Sequence, residues 1–579
     1  MLKECLEYFK KELDIKGDRL ILDNYIPAYG TYIIVAPKED SFEVKEVIDI
    51  KFDKKTKTID RSSSYFNKIC IYDYNSKLVD MNKPIDIKKI VHSNNYLSFW
   101  VKKESFTNGK LTKDIIDRYY EILSNPYLKY SQSKSKEANE IYKDLEDKIG
   151  PVDSGMVDKI KNWIKSNIYD LGAKYTGKDY LKVFFEFDEK DYIREGERYF
   201  IPNIYNSNDF NLKINNEILG LHNNNMTMNS DKPYLQNKSR KEKVPYLVNM
   251  EEVMLQKKFF DYLLNKFKVG KVNCYFNEDN MNFYGDGELP DREFEGIFLR
   301  LSKGKEVEIR GYDIITNYKP QLHKRFSYKN ILGDDLDDKS YKLYGEHTNR
   351  VDIQRIIDEV FFSKYLINNY FTDAGDISIK NESLKNNLIL SRDRIFNWIY
   401  KGNKNGIDKL IDRISINLVK GSLEDGYYKK AKDQFNLRWS FKNYFYGGVD
   451  MADIIYDMQE KLRIKINDDV TGRFESDEEY YFAIGQLVSY FLSLSKGKKR
   501  PQSLVNPFIN AKNNEIIKGK LRALYLKYNY TIEKNSKRFN NLYGMILAYI
   551  PESSVNQDLI LAGYLRSSLI YEKNEEENK

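Results

Sequence analysis

Residues 157–187 read VDKIKNWIKSNIYDLGAKYTGKDYLKVFFEF and join a helical pattern to a strand pattern. Five apolar residues of this stretch recur at the spacing of one helix face: Val157, Ile160, Trp163, Ile164 and Ile168. This spacing predicts a helix over Val157–Tyr169. Leu181–Phe187 is instead a run of apolar and aromatic residues of strand length, which predicts a strand. The stretch therefore indicates a mixed helical and stranded region.

The same mixture extends over the first part of the chain, with a strand predicted at Thr31–Ala36 and a helix at Asp114–Leu123. From Val351 onward the patterns are mainly helical. Helices are predicted at Val351–Phe371, Asn387–Tyr400, Ile407–Val419, Val449–Leu462, Glu478–Ser495, Asn513–Tyr528, Ser536–Tyr549 and Val555–Glu572. We predict an α+β fold with a large mixed α/β N-terminal region (1–350), a helical connecting region (351–448) and a C-terminal antiparallel helical bundle (449–579).

Between the helix and the strand of the opening stretch, Gly172–Asp179 nearly matches the phosphate-binding loop GxxxxGK[ST]. The final position is Asp179 instead of a hydroxyl residue, which removes the magnesium ligand. The context is also reversed, because that loop follows a strand and precedes a helix. We interpret this segment as a helix-to-strand turn.

The composition argues against metal-binding, disulfide-rich, secreted and membrane-spanning classes of protein. The three cysteines and four histidines are scattered without metal-ligand spacing, so neither a zinc site nor a disulfide framework is expected, and no cofactor is predicted. The N-terminal residues lack the apolar core of a signal peptide, and no apolar run has the length of a membrane span. We expect a cytoplasmic protein without a membrane partner.

One enzymatic alternative is a metal-dependent nuclease. Asp291 precedes the carboxylates Glu306 and Glu308 in an arrangement that faintly resembles the spaced carboxylates of metal nucleases. A lysine at the expected position is missing, and Ser, Cys and His form no nucleophile motif. We therefore expect no catalysis, with a divergent nuclease and a purely scaffolding subunit as alternatives.

The segment Gly220–Lys258 is basic and rich in asparagine. Lysine and arginine neutralise phosphates, asparagine can read base edges, and tyrosine can stack on bases. Nucleic-acid contacts are predicted for Asn223, Asn224, Asn225, Thr227, Lys232, Lys238, Arg240, Lys241 and Lys243. A solvated loop in a sequence rich in lysine and asparagine is the alternative that these residues leave open.

A second basic region lies in the C-terminal bundle. Between Lys496 and Arg566 there are thirteen basic and four acidic residues, an excess larger than the net charge of +7 of the whole chain. Such a surface suits a phosphate backbone, for example a displaced single strand. The contacts predicted here include Lys496, Lys498, Lys499 and Arg500, and a solvated basic surface is the alternative.

Two blocks of the sequence resemble one known family. The first block, KPYLQNKSRKEKVPYLVNMEEVMLQKKFFDYL, begins at Lys232 and resembles the KP[FY]L…K[TS]RK…PYL block of the large subunit of type I-B CRISPR Cascade (the Csh-type large subunits). The second block, Glu479–Leu487, resembles the eyyfaiGQL helix of that family. Asn506-Pro507-Phe508 and Ala562-Gly563-Tyr564 follow at similar spacing.

The resemblance implies a non-catalytic subunit of a crRNA-guided ribonucleoprotein complex in antiviral defence. Such a subunit recognises the protospacer-adjacent motif on double-stranded target DNA, contacts the 5′ handle of the crRNA and helps to hold the displaced single strand. Its partners are the backbone, handle-binding and small subunits, and a helicase-nuclease that is recruited on target binding. No metal is carried over, because only Cys274 lies in the central region.

The resemblance also implies that the helical C-terminus is similar to the Cascade small subunit. In the family this part can be made separately from an internal start codon. Met451 and Met458 lie near the start of the predicted bundle and are suitable starts.

Overall fold

The structure is a computed structural model that describes residues 2–53, 55–56, 58–130, 136–205, 211–215, 217–222, 247–303, 307–333, 343–447, 451–495, 502–533 and 535–572. The chain forms two compact units. The N-terminal unit contains Met1–Asp286 and Gly296–Ile314, and the C-terminal unit contains Gly287–Glu295 and Ile315–Lys579. The division of the sequence at residues 350 and 448 stays a prediction.

The first part of the chain alternates helices and strands. Its helices are α1 (Leu2–Lys16), α2 (Arg19–Leu22), α3 (Phe66–Tyr74), α4 (Glu104–Thr107), α5 (Lys113–Ser124), α6 (Tyr127–Tyr130), α7 (Lys136–Ile149), α8 (Ser154–Lys174), α9 (Glu189–Asn203) and α10 (Met250–Lys268). Its strands are β1 (Gly30–Lys38), β2 (Ser41–Ile50), β3 (Phe52–Asp53), β4 (Thr58–Ile59), β5 (Ser98–Lys102), β6 (Tyr180–Phe185), β7 (Leu212–Ile214), β8 (Glu217–Leu219), β9 (Asn273–Phe276), β10 (Met281–Tyr284), β11 (Phe294–Lys303) and β12 (Val307–Tyr318). This region is mixed α/β, as predicted.

The first sheet has the strand order β2-β1-β6-β5 and forms the centre of the N-terminal unit. β1 pairs antiparallel with β2 and parallel with β6, and β5 pairs antiparallel with β6. The predicted strand at Thr31–Ala36 lies within β1, which is buried from Gly30 to Ala36, as expected for an apolar run without alternation. A second sheet has the order β10-β9-β11-β12.

Residues 157–187 fold as predicted into a helix, a turn and a strand. All five residues of the predicted inner face of α8 are buried. Gly172 lies inside α8, where a Cβ atom would overlap the ring of Phe106. Asp179 pairs with Lys103, whose Nζ lies 3.0 Å from the carboxylate. The residues of the GxxxxGK-like segment therefore pack inside the unit and form an internal ion pair.

The rest of the chain is mainly helical. It contains a two-stranded antiparallel sheet, β13 (Gln321–Tyr328) and β14 (Gly345–Asn349). Its helices are α11 (Arg350–Ile356), α12 (Glu382–Lys401), α13 (Ile407–Glu424), α14 (Tyr428–Tyr446), α15 (Met451–Asn467), α16 (Asp477–Ser493), α17 (Asn506–Ile509), α18 (Asn514–Tyr528), α19 (Lys537–Ala548) and α20 (Gln557–Leu565). The predicted α+β class with a helical C-terminal part is confirmed.

The prediction of one helix over Val351–Phe371 is wrong in its second half. α11 continues as a π-helical turn over Ile357–Phe361 and then stops. The chain turns through positive φ angles at Ser363 and Lys364, and the buried carboxylate of Asp358 accepts hydrogen bonds from the backbone N–H groups of Leu366 and Ile367. A side chain therefore replaces the helical hydrogen bonds at this point.

In the C-terminal bundle, α16 is the central helix and is buried along nearly its whole length. Gln486, from the block that resembles the Cascade family, donates from Nε2 to the carbonyl of Gly563 at 2.7 Å, and its Oε1 accepts from the N–H of Leu569 at 2.9 Å. This side chain fixes α20 against α16. The final predicted helix ends at Leu565 instead of Glu572.

No helix within the described ranges combines the length and the apolar character that crossing a membrane requires.

Candidate nucleic-acid interface

The contact residues that the sequence predicts lie outside the described residues, and the structure does not place them. They are Asn223, Asn224, Asn225, Thr227, Lys232, Lys238, Arg240, Lys241, Lys243, Lys496, Lys498, Lys499 and Arg500. The described residues on either side of these segments, and the other basic residues of the C-terminal bundle, show how the two predicted regions are anchored.

Gly220, the first residue of the Asn-rich segment, is hydrogen-bonded to Val248 within the same segment. Gly220 and Val248 exchange both backbone hydrogen bonds at 3.0 Å, and His222 forms a bridge with Tyr205. α10 begins two residues after Val248, with a capping box in which Asn249 and Glu252 bond to each other's backbone N–H groups. Gly220 and Val248 are therefore direct neighbours in the N-terminal unit.

The last two lysines of the segment have internal partners. Lys257 Nζ lies 2.9 Å from the carboxylate of Asp261 and 3.1 Å from the hydroxyl of Tyr74. Lys258 Nζ lies 2.6 Å from the carboxylate of Asp18. These contacts hold α10 against α3 and against the turn between α1 and α2. Both lysines thus have a structural role in the N-terminal unit.

The thirteen basic residues of the C-terminal bundle fall into three groups. Five lie outside the described residues: Lys496, Lys498, Lys499, Arg500 and Lys534. Four hold parts of the C-terminal unit together: Lys518, Lys537, Arg538 and Arg566. In the described part of the chain, the last four have no ion pair or hydrogen bond from their side chains: Lys512, Lys520, Arg522 and Lys527.

Lys518 illustrates the difference between the second and the third group. Its Nζ donates to the carbonyls of Leu547 at 3.0 Å and Tyr549 at 2.6 Å, at the C-terminal end of α19. It therefore satisfies carbonyls that the helix end leaves without partners. Lys520, only two residues later, points away from this contact because successive helical residues are rotated by about 100°.

The unpaired cations flank the outward face of α18. Helical rotation places Lys520 and Lys527 on one side of this face and Arg522 on the other. Gly519 and Ala523 lie between them and are exposed, and a Cβ atom at Gly519 would meet no other atom within 4 Å. The larger side chains of Ile516 and Leu526 are also exposed on this face, so two cationic borders enclose a strip of small and apolar residues, along which a phosphate backbone could contact the cations.

Three aromatic rings lie beside this face. Tyr525 of α18 stacks on Tyr543 of α19 with a centroid distance of 5.0 Å, and Phe539 stacks on Tyr543 at 5.6 Å. Burial raises the pKa of Tyr543, and the nearby Arg522 opposes this rise. Tyr525 and Tyr543 are half-buried, so each keeps part of its surface accessible next to Arg522.

The described carboxylates that a metal-dependent nuclease would use do not form a metal-binding cluster. Asp291 and Glu308 are both exposed, and Glu306 lies outside the described residues. Among the residues that the structure describes, no group of three or more His, Cys, Asp or Glu side chains is placed to hold a metal ion.

Comparisons of the chain with models of protein families, with curated proteins and with solved structures found no match.

Proposed function

We propose that this chain is the non-catalytic large subunit of a crRNA-guided type I-B CRISPR effector complex. In this role it recognises the protospacer-adjacent motif and target DNA, contacts the 5′ handle of the guide and recruits the helicase-nuclease. Its partners are the crRNA, double-stranded target DNA, the displaced single strand and the backbone, handle-binding and small subunits.

The outward face of α18 is the observation that carries this proposal. Lys520, Arg522 and Lys527 have no internal counter-charge among the described residues, and Glu515 is the only acidic residue of the helix. Unpaired cations of this kind bind phosphates with an affinity that depends on salt and not on base sequence. This supports a backbone-binding role for the C-terminal bundle.

The anchored Asn-rich segment supports a separate, sequence-reading role. Two backbone hydrogen bonds join Gly220 to Val248, and the basic and amide-rich residues lie between these two positions in the sequence. In RNA-guided recognition, base pairing with the guide reads most of the target while the protein reads only a short motif. A short amide-rich segment and a larger basic surface suit these two tasks.

Co-purification of the tagged full-length chain with its cellular RNA tests the proposal directly. We expect a uniform population of short RNAs that share one 5′ handle. The isolated complex should bind duplex DNA that carries a complementary target with its adjacent motif, and bind it more weakly when only that motif is altered. Recovery of no RNA, together with no DNA binding, would overturn the proposal.

The same preparation separates the two alternatives. DNA cleavage that requires Mg²⁺ or Mn²⁺ and is lost in Asp291→Ala would replace the proposal with a nuclease. A complex that assembles normally, and whose DNA affinity is unchanged by neutralising the α18 cations and the Asn-rich segment, would indicate a scaffolding subunit.

A further inference from the structure

An open cleft of about 710 Å³ lies within the C-terminal unit, apart from α18 in sequence. It is bordered by residues around Asp291, by the stretch from Asn317 to His323, by Arg350 at the start of α11 and by the turn after α12. Its volume is in the range of small-ligand sites, about 300–1,000 Å³. A cleft of this size can take a small group such as one phosphate and is too small for a duplex.

Arg350 is a buried cation on the wall of this cleft, with a side chain that is only 4% exposed. Its Nε donates to the carbonyl of Lys319 and its Nη1 to the carbonyl of Trp398, both at 2.6 Å. These acceptors are neutral. Burial lowers the pKa of Arg350. The described groups that raise this pKa are the tyrosines Tyr318 and Tyr444, and no carboxylate is among them. The charge of Arg350 therefore has no counter-ion among the residues that the structure describes.

Two further basic side chains, Lys404 and His323, lie close enough to Arg350 to interact with it electrostatically, and Lys324 interacts with both of them. Burial lowers the pKa of Lys404, and the charges of Arg350 and Lys324 lower it further. The pKa of His323 is lowered by burial first, and then by Lys404, Lys324 and Arg350. Lys404 is therefore repelled by both Arg350 and Lys324, whereas the lowered pKa of His323 favours its neutral form, and a bound anion would relieve the repulsion among the three cations.

The acidic residues at the border compensate little of this charge. Glu293 lies 3.2 Å from Lys319, so its charge is paired with a cation outside the cluster. Asp291 is exposed and forms no ion pair with a described residue. The Nδ1 atom of His323 lies 2.9 Å from the hydroxyl of Tyr444, which is neutral because burial raises its pKa to about 12.

Gly402 brings the turn with Lys404 close to Arg350. Gly402 ends α12 with a φ of 75°, a left-handed conformation that favours glycine. A Cβ atom here would lie 3.1 Å from the carbonyl oxygen of Asn317 and 3.7 Å from Nη2 of Arg350. The close approach of the three segments thus depends on a residue without a side chain. Their proximity places cations from all three segments around the cleft.

We propose that this cleft binds a phosphate group of single-stranded nucleic acid, at a contact point separate from the α18 face. The inference rests on the proposed function, because it assumes that the chain binds a nucleic-acid strand. A phosphodiester offers two anionic oxygens that accept hydrogen bonds from Arg and Lys together. It would supply the counter-charge that the described residues around Arg350 lack.

Titration of full-length protein with a fluorescent single-stranded oligonucleotide at several salt concentrations tests this site. The variant Lys324→Gln plus Lys404→Gln removes two exposed cations, Lys404 on the wall of the cleft and Lys324 close enough to interact with it, and leaves the buried Arg350 in place. We expect about tenfold weaker binding, and a salt slope that falls by about 0.7, the contribution of one phosphate contact on a single strand. The matched control is Lys380→Gln plus Arg413→Gln, two exposed cations of the same unit that do not line the cleft.

Each outcome of the titration is decisive. If the wild-type chain binds and neutralising α18 weakens binding, but the cleft variant behaves as the control, the cleft inference is wrong and the proposed function stands. If the cleft variant loses affinity equally for duplex and single strand, the assignment to a single strand is wrong. If the wild-type chain binds no nucleic acid at all, the proposed function fails and the inference fails with it.

Discussion

Gly485 of α16 and Gly563 of α20 lie at the point where these two helices cross in the C-terminal bundle. A Cβ atom on Gly485 would overlap the carbonyl oxygen of Ile560, and one on Gly563 would overlap the carbonyl oxygen of Phe482. Each glycine thus faces the backbone of the other helix. Both belong to the motifs that resemble the Cascade family, so at these two positions the motifs serve helix packing.

Substituting either glycine by alanine should destabilise the C-terminal unit. In Gly485→Ala or Gly563→Ala the helices must separate, and overpacking of this kind costs about 1–3 kcal/mol. Urea unfolding followed by circular dichroism measures the change. Gly519→Ala is the matched control: its Cβ would enter open space, and alanine in a helix should stabilise by about 0.5–1 kcal/mol. Equal effects at all three positions would contradict the close crossing.

Neutralising the outward face of α18 should weaken nucleic-acid binding without altering stability. For Lys520→Gln, Arg522→Gln and Lys527→Gln combined, the salt slope for single-stranded DNA should fall by about 2, because up to three phosphate contacts are lost. Lys380→Gln, Lys409→Gln and Arg413→Gln combined form the control, since all three side chains are exposed elsewhere in the unit. An unchanged slope in the α18 variant would exclude this face as a backbone contact.

The buried His222 should make the N-terminal unit lose stability in acid. Burial lowers its pKa to about 4, and neither ring nitrogen has a hydrogen-bond partner among the described residues. Because the unfolded chain takes up the proton near pH 6.5, the stabilising contribution is complete above that pH and is lost as the pH falls towards 4. Between pH 7.5 and 5, His222 should account for about 2 kcal/mol of lost stability.

His222→Leu isolates this contribution. Hydrogen exchange of the β1 and β6 amides measures the free energy of unfolding at pH 7.5 and at pH 5. Between these two pH values it should fall by about 2 kcal/mol less in the variant than in the wild-type chain. A variant that loses the same stability as the wild type over this pH interval would show that other groups cause the acid sensitivity.

The buried pair of Lys182 and Asp73 predicts a large asymmetry between single and double substitutions. Lys182 is 2% exposed and bonds to Asp73, which is 1% exposed and also accepts from the hydroxyl of Tyr25 at 2.7 Å. Lys182→Met leaves the carboxylate without its cation and should cost about 3–5 kcal/mol. Lys182→Met with Asp73→Asn should recover part of this loss in urea unfolding. A double variant less stable than the single one would contradict a charge effect.

The sequence predicts elements best where apolar residues repeat with a regular spacing. The five inner residues of α8 are all buried, as their spacing predicts. α14 is not among the predicted helices, because its buried face includes Gln434, Asn436, Arg438 and Ser440. Arg438 can be buried there because it pairs with Asp412 and with Asp558, which is 120 positions further along the chain and lies 2.7 Å away.

The sequence by itself therefore determined the α+β class, the bundle helices and the regions of excess positive charge, since these depend on local periodicity and composition. Only the tertiary structure decided which of the basic side chains have internal partners and which are available to bind phosphate. Lys518 and Lys520 are alike in sequence, yet one satisfies carbonyls of α19 and the other has no internal partner among the described residues. The cluster around Arg350 likewise exists only because Gly402 allows three distant segments to meet, and no local pattern encodes such proximity.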